Sequence, residues 1–384
     1  MFIEDLQLIH FRNYENENIA FEKGINVILG ENAQGKTNLI EAMFFLSRGY
    51  SHRASNVSEL SQWDHFDFFV NAHVVSADVK HKISMKINNG KRQILLDDKA
   101  GKRDKINGIF NTILFEPDDL KIVKEGPDKR RRFLNQEISG FRPEYHHLLR
   151  DYEKVLNQRN TLLKNIHYKP SLRETLSVWD EQLISVGTRL MNHRVRYLHR
   201  LNKEAGELHK ILSHGNEKLT LYYQNNIIDS LVDMAELKNI FKKRLDQCRE
   251  EEIHRGSTLY GPHVDDILIE INGKDARRYA SQGQQRSAAI SLKLSQIEIY
   301  YDNTGEYPVV LLDDIFSELD ESRRRSILKL LSKTQAFITC TEDVLPEIDQ
   351  IPYKKNVIYI NKGKVLKKKP EHHENQEETN ARKE

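Results

Sequence analysis

Eight consecutive residues near the N-terminus could hold phosphate groups: Gly30, Glu31, Asn32, Ala33, Gln34, Gly35, Lys36 and Thr37. In a P-loop of the pattern GxxxxGK(S/T), the glycines allow backbone N–H groups to point into a concavity of phosphate size. Lys36 would place its ammonium beside the β- and γ-phosphates, and Thr37 would offer its hydroxyl to Mg²⁺. An ordinary glycine turn would leave the Lys-Thr pair unexplained. The segment therefore predicts a nucleotide site with a magnesium ion.

Two adjacent carboxylates, Asp313 and Asp314, follow a short apolar run at residues 309–312. Such a run predicts a buried strand, whose carboxyl end lies at the edge of an α/β sheet where ligands bind. Asp313 would hold Mg²⁺ through water, and Asp314 would orient the water that attacks the phosphate. A core strand followed by an acidic turn has the same pattern. The P-loop earlier in the chain favours the catalytic interpretation.

A third polar segment precedes a stretch with helical apolar spacing at residues 288–299, and it consists of Ser281, Gln282, Gly283 and Gln284. A serine hydroxyl, a glycine amide and a helix N-terminus together can bind an anion. A glutamine-rich helix cap has the same pattern. Because a chain with one P-loop needs no second site for the same phosphate, we predict that this segment binds the γ-phosphate held by another copy. The nucleotide would then join an ATP-dependent homodimer.

Particular elements must position these three segments. An apolar run at residues 25–29 and helical spacing at residues 38–46 predict a strand, the P-loop and a helix. The pairs Asn89-Gly90 and Asn272-Gly273 predict hairpins. From residue 145 the apolar spacing becomes helical and continues to about residue 212, with a break at Pro170. We predict an α/β nucleotide-binding lobe (residues 1–140 and 257–366), interrupted by a mainly helical lobe (residues 141–256) and followed by a disordered tail (residues 367–384).

Composition limits the classes of partner. The 384 residues include 59 basic and 57 acidic side chains, so any nucleic-acid surface must come from local clusters. Cys248 and Cys340 lack the spacing of a metal site or a disulfide framework. The N-terminus does not resemble a secretory signal, and no apolar run approaches the roughly 18–20 residues that cross a bilayer. We expect a cytoplasmic protein with no membrane partner.

The three segments, in this order, resemble the ABC-type ATPase head, a P-loop NTPase with a mixed sheet. Residues 281–284 are similar to its signature motif, and residues 317–320 are similar to its D-loop. The opening at residues 9–14 resembles the SMC-like branch of that family. Within this branch the chain resembles the RecF family of bacterial recombination-repair proteins, at residues 11–14, 30–42, 51–53, 115–120, 130–134, 261–263 and 265–266.

The resemblance implies an ATP-binding protein of DNA repair, recombination, replication and the SOS response. Such a protein would dimerise with ATP and Mg²⁺ on duplex DNA near single-/double-strand junctions. It would help to load recombinase at gaps with mediators of the RecR and RecO type. Arg12 would face the nucleotide, and Arg53 would lie near the phosphates.

Two positions depart from other ABC enzymes. Asp314 stands where they have a glutamate, so a weak, DNA-stimulated ATPase is expected. Cys340-Thr341 stands where many have a switch histidine. Glu116 falls where a Q-loop residue would.

Basic clusters indicate where the DNA backbone could be bound. The candidate phosphate contacts are Arg130, Arg131, Arg189, Arg194, Arg196 and Arg200. Because no aromatic side chains are interleaved with them, they favour duplex backbone contact over stacking with single strands. A solvated helix face or a structural charge network would have the same pattern.

The alternative function is that of an ATPase subunit in another ABC system. A transporter subunit would not need the helical insertion or the opening at residues 11–14. A chromosome-organising SMC protein would need a far longer coiled coil. A small-molecule phosphotransferase would have no use for residues 281–283.

Overall fold

The computed structural model describes residues 1–101, 103–106, 108–227, 233–341 and 354–366. The predicted disordered tail, residues 367–384, lies outside the described residues. No helix in the described part of the chain is long and apolar enough to span a membrane.

The strands, in chain order, are β1 (Phe2–Phe11), β2 (Tyr14–Ala20), β3 (Ile25–Leu29), β4 (Phe68–Ser76), β5 (Val79–Asn88), β6 (Lys91–Leu96), β7 (Lys99–Ala100), β8 (Thr112–Phe115), β9 (Leu219–Gln224), β10 (Asp266–Ile271), β11 (Lys274–Asp275), β12 (Val309–Leu312), β13 (Ala336–Cys340), β14 (Lys355–Asn361) and β15 (Lys364–Leu366). The helices are α1 (Lys36–Arg48), α2 (Arg103–Ile106), α3 (Lys121–Lys124), α4 (Pro127–Phe141), α5 (Pro143–Ile166), α6 (Leu176–Leu212), α7 (Met234–Arg255), α8 (Ala276–Tyr279), α9 (Gln282–Leu294), α10 (Gln296–Thr304) and α11 (Glu321–Leu330). Short 3-10 segments cover Val57–Leu60, Pro117–Leu120, Pro170–Thr175, Phe316–Glu318 and Leu331–Lys333.

The central sheet has the strand order β15-β14-β3-β13-β12-β8. All its neighbouring strands are parallel except the edge pair β14 and β15. Every residue of β3, β12 and β13 is buried, as expected for parallel strands that are covered on both faces. This register places the carboxyl ends of β3, β13 and β12 side by side.

A second sheet, with the order β2-β1-β4-β5-β6-β7, covers one side of the central sheet. Apolar residues of β1, β4, β5 and α1 form one core with Phe337 and Leu311 of the central sheet. The predicted hairpin at Asn89-Gly90 joins β5 to β6, and both residues have positive φ. On the other face, Val27 and Ile338 pack with side chains of α9 and α11. The predicted α/β class with a mixed sheet is confirmed.

The helices α5, α6 and α7 lie between the two parts of the nucleotide-binding lobe in the chain. At ~1.5 Å per residue, the 37 residues of α6 span roughly 55 Å. The predicted helix indeed ends at Leu212, but it begins only after the 3-10 segment Pro170–Thr175. One apolar cluster joins these helices to α4, β10 and α9. The lobe boundaries at residues 140 and 256 stay a prediction.

A buried guanidinium connects the three long helices. Arg159 of α5 has no exposed side-chain surface, and it binds Asp180 of α6 at 2.8 Å and Glu252 of α7 at 2.6 Å. It also donates to the Thr258 hydroxyl at 2.8 Å. These bonds pair the buried charge of Arg159 with the carboxylates of Asp180 and Glu252.

We expect Arg159→Leu to lower the free energy of unfolding by about 3–5 kcal/mol, because buried Glu252 loses its cation and Asp180 keeps only its pair with Arg249. The matched control is Arg173→Leu, since Arg173 is half exposed in its pair with Glu250 and an exposed pair contributes only ~0–1 kcal/mol. Urea denaturation of the two variants measures the difference. Equal losses of stability would contradict this role of Arg159.

Candidate functional site

The P-loop runs from the end of β3 to the beginning of α1, as predicted. Its backbone has positive φ at Gly30 (155°), Ala33 (64°) and Gly35 (121°). A Cβ at Gly30 would lie 2.4 Å from the Ile360 carbonyl oxygen, so that position requires glycine. In anion-binding loops, residues with positive φ turn backbone N–H groups toward one concavity. The loop therefore has the backbone conformation that a phosphate site needs.

Two neighbouring turns support the P-loop. Asn13 Nδ2 donates to the Gln34 carbonyl at 2.9 Å, and Tyr14 Oη donates to the Gly35 carbonyl at 2.9 Å. On the other side, the backbone N–H of Lys362 donates to the Gln34 side chain at 2.7 Å. The loop is thus held from both sides by hydrogen bonds.

Lys36 lies across the loop that precedes it. Its ammonium donates to the carbonyl oxygens of Gly30 and of Glu31, the latter at 3.0 Å. Burial lowers the pKa of Lys36, and the nearby charges of Asp314, Cys340 and Asp313 oppose that shift. Lys36 is thus a buried cation at the P-loop, where a phosphate would supply the missing negative charge.

The two distant halves of the predicted site meet at Asp313. The Thr37 hydroxyl donates to Asp313 Oδ1 at 3.0 Å, although the two residues are 276 positions apart. The Thr339 hydroxyl of β13 donates to the same oxygen at 2.8 Å. Burial raises the pKa of Asp313, and these two hydrogen bonds oppose that effect. A hydroxyl beside a carboxylate is a set of hard oxygen donors that suits Mg²⁺.

Asp314 differs from Asp313 in its surroundings. It is exposed and has a φ of 51°. Its backbone N–H donates to the Thr339 hydroxyl at 2.8 Å, and its carbonyl accepts a bond from the Ser317 hydroxyl at 2.8 Å. The carboxylate therefore lies at the open side of the site, on a backbone that is held in place.

Arg12 and Arg53 converge on one buried carboxylate of α1. Arg12 binds Glu41 through two hydrogen bonds of 2.9 and 2.7 Å and donates to the Glu59 carbonyl at 2.7 Å. Arg53 lies 3.8 Å from Glu41 and donates to the Asn38 side chain at 3.2 Å. The predicted contact of both arginines with a nucleotide stays a prediction.

Sequence reasoning gave no role to several supporting residues. The P-loop is held by Asn13 and Tyr14, and Glu41 binds the two nearby arginines. Thr339 forms hydrogen bonds with both aspartates. The only signal for Thr339 was a polar side chain inside an otherwise apolar strand. Recognising it requires knowing that β13 lies between β3 and β12.

The signature segment begins α9. The Ser281 hydroxyl accepts a bond from the Gln284 N–H at 3.2 Å, and the Gln284 side chain accepts one from the Ser281 N–H at 2.9 Å. Gln284 also donates to Glu217 at 3.0 Å. Space next to Gly283 is open, because a Cβ there would meet no atom closer than 4.0 Å. Ser281 and Gln282 are exposed.

Two of the predicted DNA contacts are wrong. Arg130 is 4% exposed and forms two hydrogen bonds with Asp266, at 2.6 and 2.8 Å. Arg194 is 2% exposed and donates to the Tyr145 hydroxyl and the carbonyl of Pro262. Both guanidiniums are internal links and cannot reach a DNA phosphate.

The other four arginines remain candidate DNA contacts, and they differ in their exposure and in their acidic partners. Arg131 is mostly covered and bonded to Asp128 and the Asp265 carbonyl. Arg189 and Arg200 are partly exposed and paired with acidic side chains. Arg196 is exposed.

The structure also shows the surroundings of two other positions considered in the sequence, Glu116 and Cys340. Burial and the nearby Asp119 raise the pKa of Glu116 to about 7. Its carboxylate lies 3.5 Å from His52 Nε2. Cys340 is buried at the last position of β13. The role of Glu116 as a Q-loop residue stays a prediction, and Cys340-Thr341 lies at the end of β13, where many ABC enzymes have a switch histidine.

Comparison with known proteins decides the family. Residues 2–354 match the family described as RecF/RecN/SMC N terminal domain. The DNA replication and repair protein RecF of Halothermothrix orenii is 41% identical over 347 residues, which cover 89% of this chain and 92% of that protein. RecF of Bacillus subtilis is 41% identical over 355 residues, which cover 89% and 93%. The chain belongs to the RecF family.

Solved structures agree with this assignment. The recombination mediator protein RecF with ATP, of the RecFOR pathway, superposes with a TM-score of 0.85 at 37% identity and covers 95% of this chain and 97% of that one. An Smc head bound to the winged-helix domain of ScpA gives a TM-score of 0.57 at 19% identity, which shows the shared fold alone. RecF membership confirms the repair interpretation over transport or chromosome organisation.

The ionised state of Glu41 can be tested through stability. Burial alone would raise the pKa of Glu41, but hydrogen bonds from Arg12 and Ser51 and the arginine charges outweigh it and lower the pKa. A lowered pKa adds stability above the unfolded-state value of about 4.3, and this stability is lost as the pH falls through the folded-state pKa. We expect Glu41→Gln to lower the free energy of unfolding at neutral pH by ~1.5–3 kcal/mol.

Urea denaturation from neutral to acid pH measures the effect, and the two proteins should converge at low pH. Glu15→Gln is the control, since Glu15 is exposed on β2. A difference that stays constant down to the lowest pH would show that Glu41 is not held as a carboxylate.

Proposed function

We propose that this chain binds ATP with Mg²⁺ and uses it to join two copies of the protein on duplex DNA. The observation that carries the proposal is the 3.0 Å contact between Thr37 and Asp313 beside the P-loop. It brings together two oxygen donors of the kind that Mg²⁺ prefers. The similarity to a RecF protein solved with ATP supports the choice of nucleotide.

Each residue of the site has its own task. The P-loop N–H groups and Lys36 bind the phosphates, while Thr37 and Asp313 hold the ion. Bound Mg²⁺ supplies positive charge that neutralises phosphate oxygens. Asp314 orients the attacking water from its exposed position. Because its carboxylate is one methylene shorter than a glutamate, it reaches less far, and hydrolysis is slow.

The signature segment completes the site of another copy. In the capping pair the Ser281 hydroxyl oxygen accepts a bond, so its proton can be donated to a phosphate oxygen. The N-terminus of α9 adds its partial positive charge. Ser281 and Gln282 are exposed, as a surface that receives a partner's nucleotide must be.

Membership of the RecF family supports a role with DNA and repair partners. The dimer binds duplex DNA beside single-strand gaps, with Arg196 and the partly exposed Arg189 and Arg200 as candidate phosphate contacts. Mediators of the RecR and RecO type act with it to load recombinase during the SOS response, in the cytoplasm. The placement of the solved RecF in the RecFOR pathway supports these partners.

Two substitutions separate nucleotide binding from dimerisation. Lys36→Met should weaken ATP binding by about 10–100-fold, because the phosphates lose a charge-assisted partner. Ser281→Arg should leave binding intact but prevent dimerisation, because the larger side chain blocks the partner's phosphate. Titration with a fluorescent nucleotide measures binding, and sedimentation with a non-hydrolysable analogue measures dimerisation.

Ser177→Arg is the matched control, because Ser177 is an exposed serine near the start of α6. It should dimerise like the unmodified protein. A Ser281→Arg protein that still dimerised with the analogue would refute the shared site.

DNA binding by Arg196 can be read from its salt dependence. In a plot of the log of DNA affinity against the log of salt concentration, the slope for Arg196→Gln should be smaller in magnitude by about 0.9. This is the value for one duplex phosphate contact. Arg255→Gln is the control, because Arg255 is 58% exposed at the end of α7 and pairs with Glu251. An unchanged slope for Arg196→Gln would remove this residue from the DNA surface.

A further inference from the structure

The aromatic loop, residues 61–67, exposes two large apolar side chains. Trp63 is 91% exposed and Phe66 is 85% exposed. The loop is nevertheless held in place, because the Gln62 N–H donates to the His10 carbonyl at 2.7 Å and the rings of His10 and His65 stack at 3.7 Å. Exposed aromatic side chains on an ordered loop are typical of a protein interface.

The start of the aromatic loop lies beside the segment that leads to the P-loop. Ser61 forms a bridge with Phe11, and the Arg12 N–H donates to the Leu60 carbonyl at 2.8 Å. The chain then reaches Asn13 and Tyr14, which hold the P-loop directly. Ser61, at the start of the aromatic loop, is thus about one strand spacing, ~4.8 Å, from the strand end that leads to Asn13 and Tyr14.

A third exposed aromatic side chain lies beside the signature segment. Tyr279 ends α8, two residues before Ser281, and is 69% exposed. The short helix is anchored, because the Gln285 side chain donates to the Ala276 carbonyl at 3.0 Å. Tyr279 is therefore presented from a fixed backbone, as the aromatic loop is.

The two surfaces carry opposite charges. Asp64 and Asp67 are exposed beside Trp63 and Phe66. Arg277 and Arg278 are exposed beside Tyr279. Opposite charges around apolar contacts are the pattern of complementary interfaces. The carboxylates of the aromatic loop also disfavour the other possible occupant, a nucleic acid, because they repel its phosphates.

We propose that the aromatic loop of one copy docks against α8 of a second copy. The proposal rests on the proposed dimer, in which each P-loop faces the partner's Ser281. In that dimer the aromatic loop, whose start adjoins the segment that holds the P-loop, meets α8, which adjoins Ser281. Two-fold symmetry forms the contact twice. It adds apolar and ionic contacts beside each of the two nucleotides.

Cross-linking between variants that each carry one introduced cysteine tests this geometry. Phe66→Cys and Tyr279→Cys are prepared separately, mixed with a non-hydrolysable ATP analogue and treated with a short bismaleimide. The native Cys248 and Cys340 are buried, and burial raises the pKa of Cys248 to about 12, so both should react slowly. We expect a cross-linked dimer only in the mixture and only with the analogue.

Tyr168→Cys is the matched control for Phe66→Cys, because Tyr168 is 90% exposed in the connection between α5 and α6. Its mixture with Tyr279→Cys should give no cross-link. A nucleotide-dependent dimer, seen by sedimentation, that gives no Phe66–Tyr279 cross-link would overturn the docking but leave the proposed function intact. If the unmodified protein does not dimerise with the analogue, the proposed function and this inference both fail.

Side-chain replacement tests the contribution of the contact. The double variant Trp63→Ser and Phe66→Ser should bind nucleotide normally but dimerise about tenfold or more weakly, as when central aromatic contacts are removed. Asp67→Lys and Arg278→Glu should each weaken dimerisation, and their combination should restore part of it. A Trp63→Ser and Phe66→Ser protein that dimerises normally but loses DNA affinity would assign the loop to DNA and overturn the proposal.

Discussion

The carboxylate of Asp313 is the point on which the site depends. It is 6% exposed, so its charge must be stabilised by nearby donors. Thr37 and Thr339 supply two hydroxyls to the same oxygen. One belongs to α1 and the other to β13, so the contact exists only if β13 lies between β3 and β12 in parallel register. The proposed ion site therefore requires this order of strands in the sheet.

Buried charges also hold the rest of the molecule together. Arg130 joins α4 to β10 through Asp266. Lys293 of α9 lies 3.0 Å from Glu137 of α4, and both are nearly inaccessible. Removing one partner from such a pair leaves an unpaired charge in a medium that solvates it poorly. This explains why part of the basic run in α4 serves the interior and not a DNA surface.

The helical lobe and the signature helix share one apolar core. Residues of α5, α6 and α7 belong to the same cluster as Ala288, Ala289 and Leu292 of α9. His209 of α6 also lies 3.2 Å from the Ser291 hydroxyl. The inserted lobe thus packs against the helix that begins with the signature segment, while α1, which follows the P-loop, packs on the other face of the central sheet.

By itself, the sequence determined the local chemistry of this protein. The P-loop, the strand before Asp313 and the cap at Ser281 could all be predicted, because each depends on residues adjacent in the chain. The hairpin at Asn89-Gly90 follows from local backbone preference for the same reason. Only the tertiary structure decided which distant groups meet. Thr339, Glu41 and the burial of Arg130 and Arg194 depend on strand order and helix packing, which local residue patterns do not specify.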